Sequence, residues 1–230
     1  MDHKKKLALV FDCDGVVYDS CALAHENLNK ILGTYGMPPV TLEIYREKLS
    51  DWNAIEMFRN AGVPDPVEAA HRNMDLEATS PKAPLMLNVE ETLKSFQERN
   101  IPVHIVSARR TEILEALLAH LGILSYVTSL QGGLDAGGKT EFLKNILRGN
   151  PLLKPDDIIF VDDMGMVLAE VIKSIGCWTV WSANGYSTYD RVSHLPIDYK
   201  LYSFDHFKLQ VYRIWDATEE KTRTREEVLS

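Results

Sequence analysis

The feature that most constrains this chain is a short apolar run near its start that ends in two carboxylates. Leu9, Val10 and Phe11 come directly before Asp12, and Asp14 follows two positions later. In a β-strand, side chains at positions i and i+2 lie on the same face, so both aspartates should point the same way. The carboxyl edge of an open α/β sheet is where ligands bind. The run therefore predicts a catalytic site at the end of a strand.

Two carboxylates this close repel each other unless a cation lies beside them or one of them takes up a proton. A hard divalent metal such as Mg²⁺, which prefers oxygen ligands, removes the repulsion most simply. Asp12 and Asp14 are therefore candidate catalytic and metal-binding residues. Taken alone, such a pair could equally be a helix cap or a solvated turn.

Composition restricts both the class of protein and the class of partner. The chain has 230 residues, 45% of them hydrophobic, which suffices for one large domain or a core with an insertion. Its net charge of -8 argues against nucleic acid and anionic membranes as partners and favours a small soluble substrate. Three scattered cysteines give neither a disulfide framework nor a zinc site, which favours a cytoplasmic location. No stretch approaches the roughly 20 apolar residues of a membrane span.

After the first strand the sequence becomes helical. The pattern predicts helices over 22–32, 42–49, 54–61 and 66–74, separated by turns that contain glycine and proline. The prolines Pro81 and Pro84 then indicate a connecting segment, because they cannot continue a helix. We expect residues 18–85 to form a helical insertion, with 1–17 and 86–230 as a discontinuous main domain.

From residue 89 onward helices and strands alternate, which implies parallel βαβ units. Strands are predicted over 103–106, 126–130, 158–161 and 178–181, and helices over 89–98, 112–121, 140–147 and 168–175. The expected fold class is therefore α/β, with a Rossmann-like parallel sheet and an inserted α-helical unit.

The predicted strand ends and loops supply the groups that phosphoryl transfer needs. One carboxylate can attack phosphorus, and a second can protonate the leaving oxygen. A hydroxyl at Ser107 and an ammonium at Lys139 can hold phosphoryl oxygens. The adjacent pair Asp162 and Asp163 can complete a metal site.

In this order, these residues resemble the motifs of the haloacid dehalogenase superfamily of phosphotransferases. The resemblance spans roughly residues 7 to 207, and its four motifs read FDCDGVVYDS from Phe11, VSAR from Val106, GKT from Gly138 and FVDD from Phe160. It implies that Asp12 is the nucleophile that forms an aspartyl-phosphate, and that Asp14 is the general acid/base. It also implies phosphate contacts from Ser107 and Lys139.

The resemblance further implies a Mg²⁺ ion as cofactor. The ion would lie between Asp12, the backbone carbonyl of Asp14, the substrate phosphate and Asp163, with Asp162 beside it. Some members of the superfamily carry another Asp four residues further on, where this chain has Val167. The sequence leaves open which of Asp162 and Asp163 coordinates the metal directly.

The helical insertion resembles the superfamily's α-helical cap, in the subgroup that includes phosphoglycolate phosphatase and β-phosphoglucomutase. A cap can exclude stray water from an aspartyl-phosphate and select the leaving group. Residues with suitable chemistry for that selection are His25, Arg46, Trp52, Arg59 and Arg72. Beyond the cap, Arg109 and Arg110 fit a substrate contact as well as they fit a solvated helix start.

The predicted function is Mg²⁺-dependent hydrolysis of a small phosphomonoester, of the phosphoglycolate or sugar-phosphate type. A phosphomutase of the same superfamily stays open as an alternative, because it has the same core and a similar cap. A distant alternative is a nucleotide-dependent kinase or ATPase, since residues 133–140 satisfy the P-loop pattern G-x-x-x-x-G-K-[ST]. That alternative gives no role to Asp12 and Asp14. The sequence does not distinguish a monomer from a homodimer.

Overall fold

A computed structural model describes residues 7–49, 54–79, 83–133 and 138–229, and within them one parallel sheet forms the centre of the molecule. Its strands are β1 (Ala8–Asp12), β2 (Val103–Ser107), β3 (Ser129–Gly132), β4 (Ile158–Asp162), β5 (Trp178–Ser182) and β6 (Tyr199–Leu201). They lie in the order β3-β2-β1-β4-β5-β6, and every neighbouring pair is parallel. The predicted α/β fold with a Rossmann-like sheet is confirmed.

Helices connect the strands and fill the segment between β1 and β2. In that segment lie α1 (Cys21–Thr34), α2 (Leu42–Leu49), α3 (Ala54–Asn60) and α4 (Pro66–Thr79). The remaining helices are α5 (Val89–Glu98), α6 (Thr111–His120), α7 (Gly138–Gly149), α8 (Gly165–Ser174), α9 (Tyr189–Val192) and α10 (Phe204–Leu229). No helix in the described part of the chain combines the length and the apolar character needed to cross a bilayer.

The two central strands are buried on both faces, as a sheet covered by helices on both sides requires. Alternate residues of β1 enter different apolar clusters, because successive side chains of a strand point to opposite faces. Leu9 and Phe11 pack in one cluster, and Val10 packs in the other. This arrangement fixes the register of β1 and carries Asp12 to the end of the strand.

The helices α1 to α4 enclose a third apolar cluster of their own, which includes Leu28, Ile31 and Phe58. Tyr186, from the loop after β5, joins this cluster from the side of the sheet. Such a separate core is what an inserted helical unit requires. The boundaries of that unit, 18–85, stay a prediction.

The two connections between the sheet and the helical segment run side by side. The amide of Asp19 donates to the carbonyl of Pro84 at 3.0 Å, and the amide of Met86 donates to the carbonyl of Val17 at 3.0 Å. Between them, Tyr18 forms a β-bridge with Leu85. The helical segment therefore begins and ends at one place on the sheet.

Some elements differ from the sequence prediction. The third strand begins at Ser129 and not at 126, because residues Leu124–Tyr126 form a 3-10 turn. The strand β6 and the start of α10 at Phe204 were not predicted.

Candidate active site

Three predicted site residues lie at the carboxyl ends of neighbouring strands. Asp12 ends β1, Ser107 ends β2 and Asp162 ends β4, and β1 is the central strand of the three. Because all three strands are parallel, their carboxyl ends meet at one edge of the sheet. Asp163 follows Asp162 directly and is fully buried.

Lys139, from the first turn of α7, lies between two of these carboxylates. Its Nζ is 2.9 Å from Oδ2 of Asp12 and 2.7 Å from Oδ2 of Asp162. Burial raises the pKa of Asp12 to about 7, against the opposing effect of Lys139. Burial would lower the pKa of Lys139, but the two carboxylates raise it well above its usual value, so the ammonium stays charged. This cation offsets repulsion that would otherwise act between Asp12 and Asp162.

Asp14 has a different partner. Nη2 of Arg109 donates to its Oδ1 at 2.6 Å, and Nε of Arg109 donates to its Oδ2 at 2.9 Å. Burial alone would raise the pKa of Asp14, but the Arg109 guanidinium lowers it below the usual value. The sequence left the role of Arg109 open, and the structure places its side chain in the site with only 6% of its surface exposed.

Ser107 lies beside the pair formed by Asp14 and Arg109. Its Oγ accepts the backbone N–H of Arg109 at 3.1 Å and lies 3.5 Å from Oδ2 of Asp14. The hydroxyl therefore lies next to Asp14, at the end of the strand that pairs with β1. The phosphate contacts of Ser107 and Lys139 stay a prediction.

Asp163 is held by the loop that follows β5. The backbone N–H of Tyr186 donates to its Oδ2 at 2.5 Å, and its Oδ1 is buried with no hydrogen-bond partner among the described residues. Gly15 and Gly185 close around this carboxylate so tightly that a Cβ on either would overlap it. Gly15 also has φ of +72°, a conformation that other residues rarely adopt. Burial, together with Asp162 and Asp12, raises the pKa of Asp163 well above its usual value.

Three of the carboxylates could hold a metal ion together. One oxygen each of Asp12, Asp162 and Asp163 lie within 4.8 Å of one another. Both oxygens of Asp162 already accept donors, from Lys139 at 2.7 Å and from the amide of Met164 at 2.8 Å. The unpartnered buried oxygen of Asp163 fits a divalent cation, because a buried charge without a partner is costly. The Asp14 carboxylate is not part of this group, so its predicted metal contact is limited to its backbone carbonyl.

The predicted selectivity residues of the helical segment are spread out. Nη2 of Arg46 donates to the carbonyl of Gly185 at 2.6 Å, next to the loop that holds Asp163. His25 bonds to the carbonyl of Val40 within the helical segment itself. Arg59 and Arg72 are exposed, and Trp52 lies outside the described residues.

Sequence reasoning missed the loop that contains Gly185 and Tyr186. This loop follows β5, and it lies at the same edge as the other site residues because β5 is parallel to β4. The run Ala183-Asn184-Gly185-Tyr186-Ser187 directly after an apolar strand was the available signal. The hydroxyl of Tyr186 also bonds to Ser20 Oγ at 2.9 Å, so the loop contacts both the Asp163 carboxylate and the helical segment.

The P-loop alternative receives limited support from the structure. The strand β3 does end directly before Gly133, as a P-loop requires. Residues 134–137 lie outside the described residues, and the Lys139 ammonium contacts Asp12 and Asp162. The lysine of the pattern thus belongs to the carboxylate cluster at the centre of the sheet.

Comparison with protein families gives one match over most of the chain. Residues 9–166 match the family described as haloacid dehalogenase-like hydrolase. This stretch includes Asp12, Asp14, Ser107, Lys139 and the acidic pair. No curated protein is similar enough in sequence to count as a match.

Solved structures share the fold at low sequence identity. A haloacid dehalogenase-like hydrolase from Streptococcus pneumoniae has a TM-score of 0.76 and 16% identity, covering 90% of this chain and 98% of that one. A predicted phosphoglycolate phosphatase from Haemophilus somnus has a TM-score of 0.72 and 20% identity, covering 91% and 100%. A CbbY variant from Rhodobacter sphaeroides, in complex with xylulose-(1,5)bisphosphate, has a TM-score of 0.67 and 18% identity, covering 86% and 95%. At these identities the likeness concerns the fold.

Proposed function

Because the chain belongs to the haloacid dehalogenase-like hydrolase family, we propose that it hydrolyses a small phosphomonoester through an aspartyl-phosphate on Asp12. The observation that carries this proposal is the position of the Lys139 ammonium, 2.9 Å from Asp12, with Ser107 and Asp14 at the same edge of the sheet. In this proposal, the nucleophile, the acid/base and the two phosphate ligands all lie at that edge of the sheet. These are the groups that a two-step phosphoryl transfer needs.

In the first step, a carboxylate oxygen of Asp12 attacks phosphorus and the bond to the leaving oxygen breaks. Asp14 donates a proton to that oxygen, so the alcohol leaves neutral. Lys139 and Ser107 stabilise the charge that spreads over the phosphoryl oxygens in the transition state. In the second step, Asp14 takes a proton from water as the water attacks phosphorus, which releases phosphate and restores Asp12.

We propose that Mg²⁺ is held by Asp12, Asp163 and the backbone carbonyl of Asp14, with Asp162 beside them. The unpartnered buried oxygen of Asp163 supports this choice, since the oxygens of Asp162 accept other donors. When bound, the ion neutralises charge shared by the carboxylates and the phosphoryl group.

We further propose that residues 18–85 act as a cap over this site and that the substrate is a small phosphorylated metabolite. Tyr186 and Arg46 link the helical segment to the loop that holds Asp163. Similar folds include a predicted phosphoglycolate phosphatase and a protein bound to a sugar bisphosphate, which makes both classes reasonable first substrates.

The test is phosphate release from a panel of small phosphomonoesters, with Mg²⁺ and with EDTA, beside the Asp12→Asn variant. We expect Mg²⁺-dependent release from a few panel members and none above background from the variant. Asp19→Asn serves as the matched control, because Asp19 is an exposed aspartate of the same segment. Isomerised sugar phosphate without phosphate release would indicate the phosphomutase, and release by Asp12→Asn at the normal rate would contradict the nucleophile assignment.

A further inference from the structure

In this structure the carboxylate of Asp14, the proposed acid/base, is paired with Arg109. Both carboxylate oxygens of Asp14 accept hydrogen bonds from Arg109, at 2.6 and 2.9 Å. Bidentate pairs of this kind, between arginine and a carboxylate, are among the stronger and more specific hydrogen bonds in proteins. While this pair is closed, Arg109 occupies one lone pair on each oxygen of Asp14, and its positive charge opposes the arrival of a proton there. The pair must therefore open or rotate before Asp14 can exchange a proton with the substrate.

Only the side chain of Arg109 needs to move for this to happen. Its backbone N–H donates to Ser107 Oγ at 3.1 Å, and its carbonyl accepts the N–H of Gly133. These bonds fix the main chain on both sides of the residue. The guanidinium can thus change partner by rotating about its side-chain bonds, with the strand end and the start of α6 unchanged.

The position of Arg109 indicates which part of a substrate it would meet. Lys139 contacts Asp12 and Asp162, the side on which phosphorus is attacked. The Arg109 guanidinium contacts Asp14 and lies 5.7 Å from the ring centre of Tyr18, in the connection to the helical segment. It therefore faces the side where the leaving group must lie, beside the acid that protonates it.

On these grounds, and resting on the proposed function, we propose that Arg109 exchanges Asp14 for a second anionic group on the leaving portion of the substrate. The substrate class is then a phosphomonoester that carries a carboxylate or a second phosphate close to the ester oxygen. Binding of that anion releases Asp14 from the pair, and the freed carboxylate takes up a proton from water, which it then donates to the leaving oxygen. An uncharged leaving group lacks the means to open the pair, so it reacts more slowly.

The experiment compares substrates that differ in one anionic group. The first pair is 2-phosphoglycolate and 2-phosphoglycolamide, and the second is 1,3-propanediol bisphosphate and 3-hydroxypropyl phosphate. We expect the wild-type kcat/KM to favour the charged member of at least one pair by about tenfold or more, since a charge-assisted pair is lost with the neutral one. The pair that shows the preference distinguishes a carboxylate from a second phosphate.

Arg109→Gln should reduce this ratio to about one, whereas Arg110→Gln should leave it unchanged. Arg110 is the matched control because it is the adjacent arginine, has 65% of its side chain exposed and lies 3.7 Å from Glu112 on the surface. The ratio compares two substrates on one variant, so a general loss of activity cancels. If Arg109→Gln does not fold, Arg109→Lys decides, because lysine keeps the charge without the two-pronged geometry; its ratio should fall by about threefold or more.

Two outcomes would overturn the inference. A wild-type ratio near one for both pairs would show that no second anion is recognised, and an unchanged ratio in the Arg109 variants would assign the recognition elsewhere. Hydrolysis of p-nitrophenyl phosphate separates these outcomes from failure of the proposed function, because its leaving group needs no proton. If the wild-type protein hydrolyses none of the five compounds, the proposed function itself fails, and the inference fails with it.

Discussion

The two sides of the site hold their carboxylates in different ways. On one side, the single ammonium of Lys139 is shared by Asp12 and Asp162, both almost completely buried. On the other, the guanidinium of Arg109 forms a bidentate pair with Asp14, whose side chain is 23% exposed. A shared point charge cannot leave without exposing two buried carboxylates to each other. The pair of Arg109 and Asp14 has a partly solvated carboxylate and can open at a lower cost. The first side is therefore suited to holding its cation in place, and the second to exchanging the partner of its cation.

The largest expected effect distinguishes the chemical roles of the two sides. Asp14→Asn removes the acid/base and should lower kcat by about 10²–10⁴-fold on substrates with a poor leaving group. With p-nitrophenyl phosphate the first step needs no proton, so the phosphorylated enzyme should accumulate, detectable as one added phosphoryl group in the intact mass. A variant that releases phosphate at the normal rate would remove Asp14 from the mechanism.

The next effect concerns stability. Lys139→Met leaves Asp12 and Asp162 without their shared cation, and we expect the free energy of unfolding in EDTA to fall by about 3–5 kcal/mol. Lys144→Met, on the exposed face of the same helix, should cost less than about 1 kcal/mol. Urea unfolding monitored by circular dichroism measures both.

The same measurement on Arg109→Met sharpens the comparison. The carboxylate that it leaves behind is partly solvated, so we expect a smaller loss than for Lys139→Met. Equal losses would mean that the two sides are equivalent in energy, contrary to the distinction drawn from their burial.

A smaller effect separates the two adjacent aspartates at the metal position. Asp163→Asn should weaken Mn²⁺ binding by about 100-fold or more, beyond what the loss of an indirect partner usually costs. Asp162→Asn should weaken it less, because both oxygens of Asp162 accept other donors. Titration of each variant with Mn²⁺, followed by paramagnetic resonance, gives the two affinities. A greater loss in Asp162→Asn would reverse the assignment.

The smallest effect lies at the link between the loop after β5 and the helical segment. Tyr186→Phe removes one hydroxyl that bonds to Ser20 and should lower the free energy of unfolding by about 1 kcal/mol. Tyr202→Phe is the control, since Tyr202 is 63% exposed. Thermal unfolding compares the two, and no difference between them would mean that the Tyr186 hydroxyl adds nothing to this link.

The parts of the site that follow from local pattern were visible in the sequence. Asp12, Ser107 and Asp162 each end an apolar run, and a buried parallel strand produces such a run directly. Their convergence then follows from the topology, because parallel strands share a carboxyl edge.

The pairings within the site could not be read in this way. Arg109 and Asp14 are 95 positions apart, and the same arginine could have capped a solvated helix. The pairing of β1 with β2 brings the two residues together, and it therefore determines that Arg109 contacts Asp14. Tyr186 holds Asp163 through its backbone amide. Nearly every residue type has such an amide, so the sequence does not predict this contact.

The start of α10 has a helical pattern of apolar residues that is visible in the sequence. Phe204, Phe207, Val211 and Trp215 recur at helical spacing and are all buried in the main cluster. In contrast, β6 has only three residues, too few to show the alternation of apolar and polar residues that indicates a strand. Its place beside β5 depends on tertiary pairing alone.

The side-by-side connections at Val17–Asp19 and Pro84–Met86 have a consequence for how such a protein can change. Because the helical segment begins and ends at one hydrogen-bonded point, it can be removed or replaced at two adjacent junctions with no rearrangement of the sheet. The carboxylates at the edge of the sheet and the helical segment can therefore be inherited separately. If residues 18–85 select the substrate, as proposed, a chimera that exchanges them with those of a relative would keep Asp12, Asp14 and Lys139 while acquiring a different substrate preference.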